Sequence, residues 1–400
     1  MEKRSLLHAA NSHPDMVRIG IIGLGNMGTG HAQYLVNNEV DGAVLTAVCD
    51  KNPRRLTWAK ENLSKDIRTY DRPDDLIASK QVDAVLIATP HYFHPEQAIA
   101  SFQHDLHVLS EKPSGVYTRQ AREMNEVAES SGMVFGMMLN MRTDPLYGKV
   151  KELVSNRELG KVRRTNWIIT DWYRPQSYYD SCSWRGTWKD EGGGVLLNQA
   201  PHQLDLWQWT TDMMPSRVRA FTYFGKYRDI EVEDDVTAFA EYKNGATGLF
   251  VTTTGEAPGT NRYEITGDRG KLVAEERKLV FDRLRIPEQE FNNSFQGGFG
   301  APESWRCEIP IAGEKPDYKK ITQNWVNAIL HGEKLIAPGK EGIKSLTLSN
   351  AMLLSTWTDN WVDLPIDEEL FEYHLEKQIR NSPLKKQATN ERVLNVRNSF

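Results

Sequence analysis

The 400-residue chain has few cysteines and no strong excess of either charge, and these shortages exclude several classes of protein. Its three cysteines, Cys49, Cys182 and Cys307, lie far apart, which argues against a disulfide framework or a zinc knuckle and is typical of a reducing compartment. A net charge of −5 gives no broad attraction to nucleic acid or anionic membranes. No apolar run approaches the roughly 18 residues of a membrane helix. We therefore expect no metal site, no nucleic-acid partner and no membrane partner.

The first residues also lack a targeting signal. The leader "MEKRSLLHAANSHPD" has no apolar core of the kind found in signal peptides, so we interpret residues 1–16 as a flexible N-terminus and predict a cytoplasmic protein. The length predicts two domains, or at most three. Aromatic residues are abundant, with 11 Trp and 14 Tyr. They could provide stacking surfaces for sugars or bases, but for most of them a tryptophan-rich core is the simpler interpretation.

A glycine-rich turn follows the first β-rich run, residues 17–22. The turn reads Gly23-x-Gly25-x-x-Gly28 and leads into a helical pattern, which is the context that a dinucleotide-binding turn requires. Gly23 permits the tight turn, Gly25 lets the chain approach a pyrophosphate, and Gly28 lets helix and strand pack closely. Free N–H groups at the helix start would face the anion. The predicted cofactor contacts here are Gly23, Gly25, Asn26, Met27 and Gly28. The alternative is a glycine-rich turn that binds nothing.

A carboxylate ends the second strand-like run, "AVLTAVCD". Asp50 follows Gly28 by 22 residues, where a carboxylate accepts hydrogen bonds from an adenosine ribose diol and would repel a 2′-phosphate. This favours NAD as the cofactor and makes NADP the less favoured one. Lys51, which we also count as a cofactor contact, weakens that preference together with Arg54 and Arg55.

Further polar residues follow the ends of predicted parallel strands. The runs "VDAVLIATP", "LHVLSEKPSG" and "MVFGMML" are apolar almost throughout, as strands covered on both faces are. Ligands of open α/β sheets bind beyond such strand ends. The predicted cofactor contacts at these ends are Thr89, His91, His94, Glu111 and Lys112, and the predicted substrate contacts are Asn140 and Arg142. His94, just before Pro95, could equally be a loop or helix-capping residue.

Lys112 combines a strand end with a following proline. Pro113 favours an extended conformation at Lys112 and makes a cis bond possible. The fixed positive charge of bound NAD+ would lower the pKa of the lysine and let it exchange a proton near neutral pH. The alternative is a surface lysine that happens to follow a strand.

After residue 140 the pattern changes from alternating strands and helices to a helix followed by consecutive strands. The helix, predicted within 143–162, is expected to stop at Gly160. The strand-like runs over 163–282 are separated by short turns, which predicts an antiparallel sheet. Two more helices are predicted within 317–332 and 341–360.

These patterns predict two folded domains between the flexible N-terminus and a charged C-terminal extension. Residues 17–140 are predicted to form an NAD-binding Rossmann domain with a doubly wound parallel sheet. Residues 141–366 are predicted to form a substrate-binding and oligomerisation α/β domain with an open, mostly antiparallel sheet. Residues 367–400 form a charged C-terminal extension, partly helical.

The segment "GGGVLLNQAPHQLDLWQW", residues 192–209, places polar side chains behind a flexible hinge. After a strand-like lead-in, Asn198 and His202 stand at i and i+4 and could share one helix face lying over the second sheet. We predict that Asp205 orients the imidazole of His202. The alternative is purely structural: Asn198 is a good N-cap, Pro201 suits a first helical turn, and His202 would be a core histidine.

Together, the strand–GLGNMG–helix start, the EKP tripeptide and this segment resemble the Gfo/Idh/MocA family of glucose–fructose oxidoreductase and inositol dehydrogenase relatives. "RELGKV" and "GIKSLTLSNAMLLSTWTDNWVDLPI" resemble the same family, so the resemblance covers roughly residues 17–366. It implies a Rossmann domain joined to an α/β domain with an open sheet. It also implies nicotinamide-dependent oxidation of a sugar or cyclitol hydroxyl, in a homodimer or homotetramer.

In that family the EKP lysine and an Asp-x-x-x-His pair line the substrate pocket, which implies that Lys112 and His202 are catalytic. The aspartate position is Asn198 here, and an amide cannot take up a proton at neutral pH. We therefore expect Asn198 to hold the hydroxyl while Lys112 and His202 handle its proton and a hydride passes to nicotinamide C4.

The segment "DWYRPQSYYDSCSWRGTW" is the candidate for further substrate contacts. Its aromatic rings could stack on a pyranose face, and its arginines could bind hydroxyls or an anionic substituent. The candidates are Tyr173, Arg174, Tyr178, Tyr179, Trp184 and Arg185, about half of which we expect to be packing residues.

Three functions are compatible with these residues. The first is an NAD-dependent dehydrogenase that oxidises a secondary hydroxyl of a sugar, glycoside or inositol. The second is a redox-assisted glycoside-cleaving enzyme that oxidises its substrate, eliminates the aglycone and returns the hydride. The third is a catalytically silent NAD-binding regulatory relative, against which the presence of both Lys112 and His202 argues.

Overall fold

The computed structural model describes residues 16–382. The predicted flexible N-terminus, apart from its last residue, and the C-terminal extension from residue 383 onward lie outside the described residues. Within 16–382, no helix is long and apolar enough to cross a membrane, and no group of three His, Cys, Asp or Glu side chains could hold a metal ion.

The first sheet is the predicted parallel Rossmann sheet. Its six strands lie in the order β3-β2-β1-β4-β5-β6, so the strand order reverses between β1 and β4. The strands are β1 Val17–Ile22, β2 Ala43–Cys49, β3 Arg68–Tyr70, β4 Ala84–Ile87, β5 His107–Ser110 and β6 Phe135–Met137. The helices around it are α1 Asn26–Val36, α2 Pro53–Asn62, α3 Pro73–Ala78, α4 His94–Gln103 and α5 Thr118–Ser131.

The second sheet has nine strands and is mixed. Its order is β14-β13-β12-β11-β7-β10-β9-β8-β15, in which β7 and β10 pair in parallel and the other neighbours are antiparallel. The strands are β7 Val162–Ile169, β8 Arg217–Phe224, β9 Glu233–Glu241, β10 Thr247–Thr253, β11 Asn261–Gly267, β12 Gly270–Glu275, β13 Lys278–Leu284, β14 Ser304–Ile309 and β15 Val362–Asp363. Strands β12 and β13 are joined by a turn at Glu276 and Arg277, both with positive φ.

The helices of the second half are α6 Pro145–Ser155, α7 Gln176–Tyr179, α8 Pro201–Trp209, α9 Glu288–Ser294, α10 Tyr318–His331, α11 Gly342–Thr358 and α12 Glu368–Arg380. Helix α6 ends at Ser155, so the prediction that Gly160 stops it is wrong. Gly160 has a φ of +70° in the turn that leads into β7. The "VLLNQ" lead-in to α8 is also not a strand but a π-helix, Val195–Gln199.

Helix α8 lies over the second sheet, as predicted, and Trp207 anchors it there. The Trp207 ring is 1% exposed and packs on Phe250 of β10 with 5.3 Å between ring centroids. Its Nε1 donates to Thr165 Oγ1 of β7 at 2.9 Å. A Cβ on Gly248 would lie 2.7 Å from the Trp207 ring, so the small residue on β10 lets helix and sheet approach closely.

Helix α10 returns the chain to the first domain. Ile321, Trp325 and Val326 are buried in the same hydrophobic cluster as strands β1 and β4. Thr322 lies 2.7 Å from the hydroxyl of Tyr34 on α1. The range 141–366 therefore contributes one helix to the core of the Rossmann half, and this helix ties the two halves together at α1.

Candidate active site

In the glycine-rich turn, two glycines are needed for close packing and the third faces open space. Gly23 has a φ of +96°, and a Cβ there would lie 2.6 Å from the Ala88 oxygen. A Cβ on Gly28 would lie 1.8 Å from the Gly23 oxygen. A Cβ on Gly25 would meet nothing within 4 Å, and Gly25 is the N-cap of α1 without any side-chain capping bond. The start of α1, with Asn26 and Met27 half-buried in its first turn, therefore faces open space and fits a pyrophosphate.

Asp50 lies beside this turn at the carboxyl end of β2. Its Oδ2 accepts from the Leu24 amide at 2.7 Å and its Oδ1 accepts from the Asn52 amide at 2.8 Å. A carboxylate oxygen can accept more than one hydrogen bond, so both oxygens can still accept from a ribose diol. Lys51 is exposed, with its Nζ 5.9 Å from the ring centroid of Phe93.

Lys112 reaches across from the first domain to the second. It precedes a cis Lys112–Pro113 bond, and its Nζ donates to the main-chain oxygen of Asn198 at 2.6 Å. The pKa of Lys112 is lowered to about 8, mainly by burial and also by the positive charges of Arg185 and Arg174, against the opposing charge of Glu111. The lysine can therefore exchange a proton close to neutral pH.

Asn198 and His202 belong to two consecutive helical segments. Asn198 lies in the π-helix, whereas His202 lies in the first turn of α8, which begins at Pro201 with Ala200 as its N-cap. Asn198 is therefore not the N-cap of α8. His202 is 2% exposed, and burial lowers the pKa of its imidazole well below the usual range, with Lys112 adding to the effect. The imidazole is neutral at neutral pH.

A buried carboxylate supports the π-helix. Glu233, at the start of β9, accepts from the amides of Gly194 at 2.8 Å and Leu196 at 3.0 Å. A Cβ on Gly194 would lie 2.0 Å from the Glu233 main-chain oxygen, which explains why this hinge position is a glycine. Burial raises the pKa of Glu233 to about 7. No sequence signal pointed to Glu233.

Asp205 does not serve His202 as predicted but holds Arg142. The guanidinium donates from Nε to Oδ2 and from Nη2 to Oδ1, both at 2.7 Å. Arg142 also donates to Glu341 at 2.6 Å, and its side chain is 1% exposed. The planar guanidinium matches a carboxylate in this two-bond geometry, and a buried charge requires such a partner. Arg142 thus holds elements of the fold together instead of making the predicted substrate contact.

The aromatic segment surrounds Asn198 with cations and rings. Arg185 lies 4.4 Å from the ring centroids of both Tyr178 and Trp184, and it donates to the Tyr178 hydroxyl at 2.5 Å. The amide of Asn198 lies 3.3 Å from the same hydroxyl. Arg174 lies 5.4 Å from the Tyr178 centroid. Arg174, Tyr178, Trp184, Arg185 and Asn198 thus form one cluster, which Lys112 joins through its hydrogen bond to Asn198.

Glu191 completes this cluster, although the sequence analysis missed it. Its Oε1 accepts from Asn198 Nδ2 at 2.5 Å and its Oε2 accepts from the Gly186 amide at 2.5 Å. The side chain is buried, and Arg185 lies 3.7 Å from its carboxylate. The available signal was an acidic residue directly before the three glycines of the hinge.

The structure places several other predicted site residues in supporting positions. His94 is the first residue of α4 and is buried, with its ring nitrogens 2.7 Å from the main-chain oxygens of Pro113 and Thr89. Glu111 lies 2.7 Å from the Nε2 of buried His31. His91 lies at the edge of the cluster, where its Nδ1 is 3.0 Å from the Glu191 main-chain oxygen and its ring is 5.5 Å from the Trp184 ring.

The remaining predicted contacts are divided between the core and the surface. Tyr179 is 2% exposed, with its hydroxyl 3.0 Å from Thr254 Oγ1, so it is a packing residue. Asn140 is buried in the short helix that also carries Arg142. Thr89 donates to Gln97 at 2.8 Å. Tyr173 is exposed and stacks with Arg228.

Comparison with known families and proteins agrees with the fold. Residues 17–139 match a family described as "Oxidoreductase family, NAD-binding Rossmann fold", and residues 147–273 match the "GFO/IDH/MocA C-terminal domain". The chain is 29% identical over 266 residues to myo-inositol 2-dehydrogenase of Thermotoga maritima, covering 65% of this chain and 75% of that protein. It is 23% identical over 389 residues to levoglucosan dehydrogenase of Pseudarthrobacter phenanthrenivorans, covering 87% and 98%.

Solved structures are similar over nearly the whole chain. The WlbA dehydrogenase of Bordetella pertussis, in complex with NADH and UDP-GlcNAcA, superposes with a TM-score of 0.74 at 26% identity. The match covers 88% of this chain and 100% of that one. The first family model covers the Rossmann sheet and the second covers part of the mixed sheet, so both models assign the chain to one family. The chain belongs to the Gfo/Idh/MocA family of NAD-binding oxidoreductases.

Proposed function

We propose that the protein oxidises a secondary hydroxyl of a sugar, glycoside or inositol, with NAD+ as the hydride acceptor. One observation carries the proposal. Lys112, whose pKa burial lowers to about 8, lies against Asn198 and close to neutral His202 where the two domains meet. A group with such a pKa can accept a hydroxyl proton near neutral pH.

The residues divide the work as follows. Bound NAD+ supplies a hydride acceptor at nicotinamide C4. Lys112 Nζ, once neutral, accepts the proton of the reacting hydroxyl, and the imidazole of His202 is neutral and able to take part in the same transfer. Asn198 binds substrate without exchanging a proton, because an amide does not titrate in this range.

Two features support a sugar or cyclitol as the substrate. Tyr178 and Trp184 present rings beside Arg185, and aromatic rings with cationic donors bind the faces and hydroxyls of pyranoses. The proteins similar in sequence include a myo-inositol 2-dehydrogenase and a levoglucosan dehydrogenase, and the similar WlbA structure contains UDP-GlcNAcA. Arg174 and Arg185 could also accept an anionic substituent such as a carboxylate.

Asp50 supports NAD rather than NADP. Its carboxylate lies at the end of β2 beside the glycine-rich turn and would repel a 2′-phosphate. Lys51 and Arg54 are exposed nearby and could offset part of that repulsion.

The test is incubation with NAD+ and a panel of nitrophenyl glycosides, free sugars and inositols, in which reduced-nicotinamide absorbance and nitrophenolate release are followed together. NADH accumulation without nitrophenolate supports the proposal and identifies the substrate class. Nitrophenolate release that needs NAD+ but yields no net NADH would instead establish redox-assisted glycoside cleavage, which Asn198 in place of an aspartate favours as the second candidate. No turnover in either assay, with NAD binding intact, would favour the catalytically silent regulatory function.

The open face of the second sheet supports self-association. Phe221 and Tyr223 of β8 and Phe239 of β9 are exposed. Arg219 pairs with Phe239, and every second residue of a strand lies on the same face, so Phe221 and Tyr223 share the face of Phe239. We propose a homodimer or homotetramer that buries these rings, to be measured by sedimentation of the purified protein. The cytoplasmic location stays a prediction.

A further inference from the structure

Glu191 is bound from two sides between the substrate-binding segment and the hinge. One carboxylate oxygen accepts from the Gly186 amide and the other from the Asn198 side chain, both at 2.5 Å. Its main-chain oxygen lies 3.0 Å from Nδ1 of His91 in the first domain. The side chain is 1% exposed. A buried carboxylate in direct contact with a substrate-site amide therefore has a fixed position.

This contact determines which way the Asn198 amide points. A carboxylate has only acceptors when ionised, so the amide edge that faces Glu191 must be the NH₂ group. The Tyr178 hydroxyl lies 3.3 Å from the same edge and can donate or accept, so the Glu191 carboxylate is the neighbour that sets the orientation. A flipped Asn198 would place Oδ1 against the Glu191 carboxylate. The unflipped amide leaves Oδ1 on the opposite edge, able to accept a hydrogen bond.

We propose that Glu191 is a positioning residue that fixes Asn198 as a hydrogen-bond acceptor for the substrate. The inference rests on the proposed function and deepens it. Arg185 lies 3.7 Å from the Glu191 carboxylate and balances its buried charge. Glu191 thus supplies a carboxylate to this site from outside the π-helix and α8, which carry Asn198 and His202.

The acceptor role narrows the class of substrate. In the proposed function the proton of the reacting hydroxyl goes to Lys112 or His202, so that proton is not the one donated to Asn198 Oδ1. The hydroxyl that donates to Oδ1 is then a neighbouring one, which corrects the expectation that Asn198 holds the reacting hydroxyl. The substrate is a vicinal diol, as sugars and inositols are, and its deoxy analogue lacks the donor.

The experiment compares Glu191→Gln, Asn198→Asp and the double variant that carries both changes. In Glu191→Gln the amide of Asn198 loses its fixed orientation, and kcat/KM for the diol falls about tenfold to 100-fold while NAD affinity stays within about threefold. For the deoxy analogue the loss is within about threefold. Asn198→Asp puts two carboxylates in contact, so its activity falls as the pH rises through the neutral range. In the double variant the new amide at position 191 donates to the new carboxylate at position 198, and kcat/KM recovers above either single variant.

Glu231→Gln is the matched control. Glu231 also braces this loop, accepting from the Trp188 amide at 3.2 Å, and it lies outside the catalytic cluster. We expect wild-type kcat/KM for this variant. Wild-type kcat/KM in Glu191→Gln, or a double variant no better than the poorer single one, would overturn the proposal. If Glu191→Gln does not fold, Asn198→Asp decides alone, since a wild-type pH profile in that variant contradicts two carboxylates in contact.

A readout without substrate separates this inference from the proposed function. In protein labelled with ¹⁵N-asparagine, the side-chain amide signal of Asn198 is the one that disappears in Asn198→Asp. Glu191→Gln should shift the hydrogen-bonded proton of that amide upfield, and Glu231→Gln should not. An Asn198 signal unchanged by Glu191→Gln would refute the contact, whereas an inactive wild-type enzyme with a shifted signal would refute only the proposed function.

Discussion

Replacing Lys112 by methionine tests the proton-transfer role of this residue. Methionine keeps the apolar part of the side chain as far as Cε but removes the amine that reaches the Asn198 oxygen at 2.6 Å. With the pKa of Lys112 lowered to about 8, roughly one molecule in ten carries a neutral lysine at pH 7, against about one in 2,500 for an ordinary lysine. The structure thus raises the neutral fraction about 250-fold at neutral pH.

We expect Lys112→Met to lower kcat/KM by about 10² to 10⁴, the usual contribution of a positioned general base. In the wild-type enzyme, kcat/KM should rise with pH, reach half of its maximum near pH 8 and level off about one pH unit higher, because only the neutral amine accepts a proton. That rising limb should disappear in the residual activity of the variant. NAD binding, measured by quenching of tryptophan fluorescence, should stay within about threefold.

Lys151→Met is the matched control. Lys151 also donates to a main-chain oxygen, that of Trp209 at 2.7 Å, and burial also lowers its pKa, but it lies away from the catalytic cluster. Its loss should leave kcat/KM and the pH profile unchanged. A Lys112→Met enzyme with full activity and a wild-type pH profile would refute the assignment of Lys112 as the base.

Three further outcomes follow from the geometry. Gly25→Val should fold with a wild-type Tm but lose NAD binding in titration calorimetry, because only open space surrounds that position. Gly28→Ala should lower Tm, because its Cβ would lie 1.8 Å from the Gly23 oxygen. Equal effects of the two variants on Tm would contradict a binding role for Gly25 and a packing role for Gly28. Asp205→Asn should cost up to about 3–5 kcal/mol in urea unfolding, because it removes the buried, two-bond partner of the Arg142 guanidinium and leaves Glu341 as its remaining carboxylate. A cost under about 1 kcal/mol would contradict a buried ion pair. Burial raises the pKa of Glu233 to about 7, so the folded state holds its proton while the unfolded state, with a pKa near 4.3, has released it. Wild-type stability should therefore fall relative to Glu233→Gln as the pH rises from about 4.5 to 7, and parallel Tm curves would show that the pKa is not raised.

The Rossmann half could be predicted because its signals are local. The turn Gly23-x-Gly25-x-x-Gly28 lies directly between a strand and a helix, and apolar runs mark most of the parallel strands. Strand β3 escaped prediction because it has three residues, two of them only half-buried and one exposed, and so no apolar run.

The helical form of the hinge could not be predicted from its own residues. Val195 to Leu197 are all buried, and a short apolar run buried on every side has no period that separates strand from helix. The helical conformation depends on Glu233, which caps the turn from a strand 35 or more residues further along the chain. Contacts of that kind leave no mark in the local sequence.

The hydrogen-bond partners of the charged site residues could not be predicted from the sequence either. Asp205 stands three residues from His202 on one helix, which made the imidazole its nearest candidate, yet Arg142 lies 63 residues away and provides two donors in the right plane. A guanidinium in a buried position outcompetes a neutral imidazole for a carboxylate. For Glu191, the sequence showed an acidic residue before a hinge but not the amide that it binds.

The most direct test of the proposed mechanism is to follow the label from a substrate deuterated at its carbinol carbon. The protein would be incubated with NAD+ and the deuterated sugar or inositol identified in the panel, and the reduced nicotinamide analysed by mass spectrometry. We predict NADH that carries the deuterium, formed by the wild-type enzyme about 10² to 10⁴ times faster than by Lys112→Met. Reduced nicotinamide without deuterium, or deuterium transferred at an equal rate by the Lys112 variant, would contradict the mechanism.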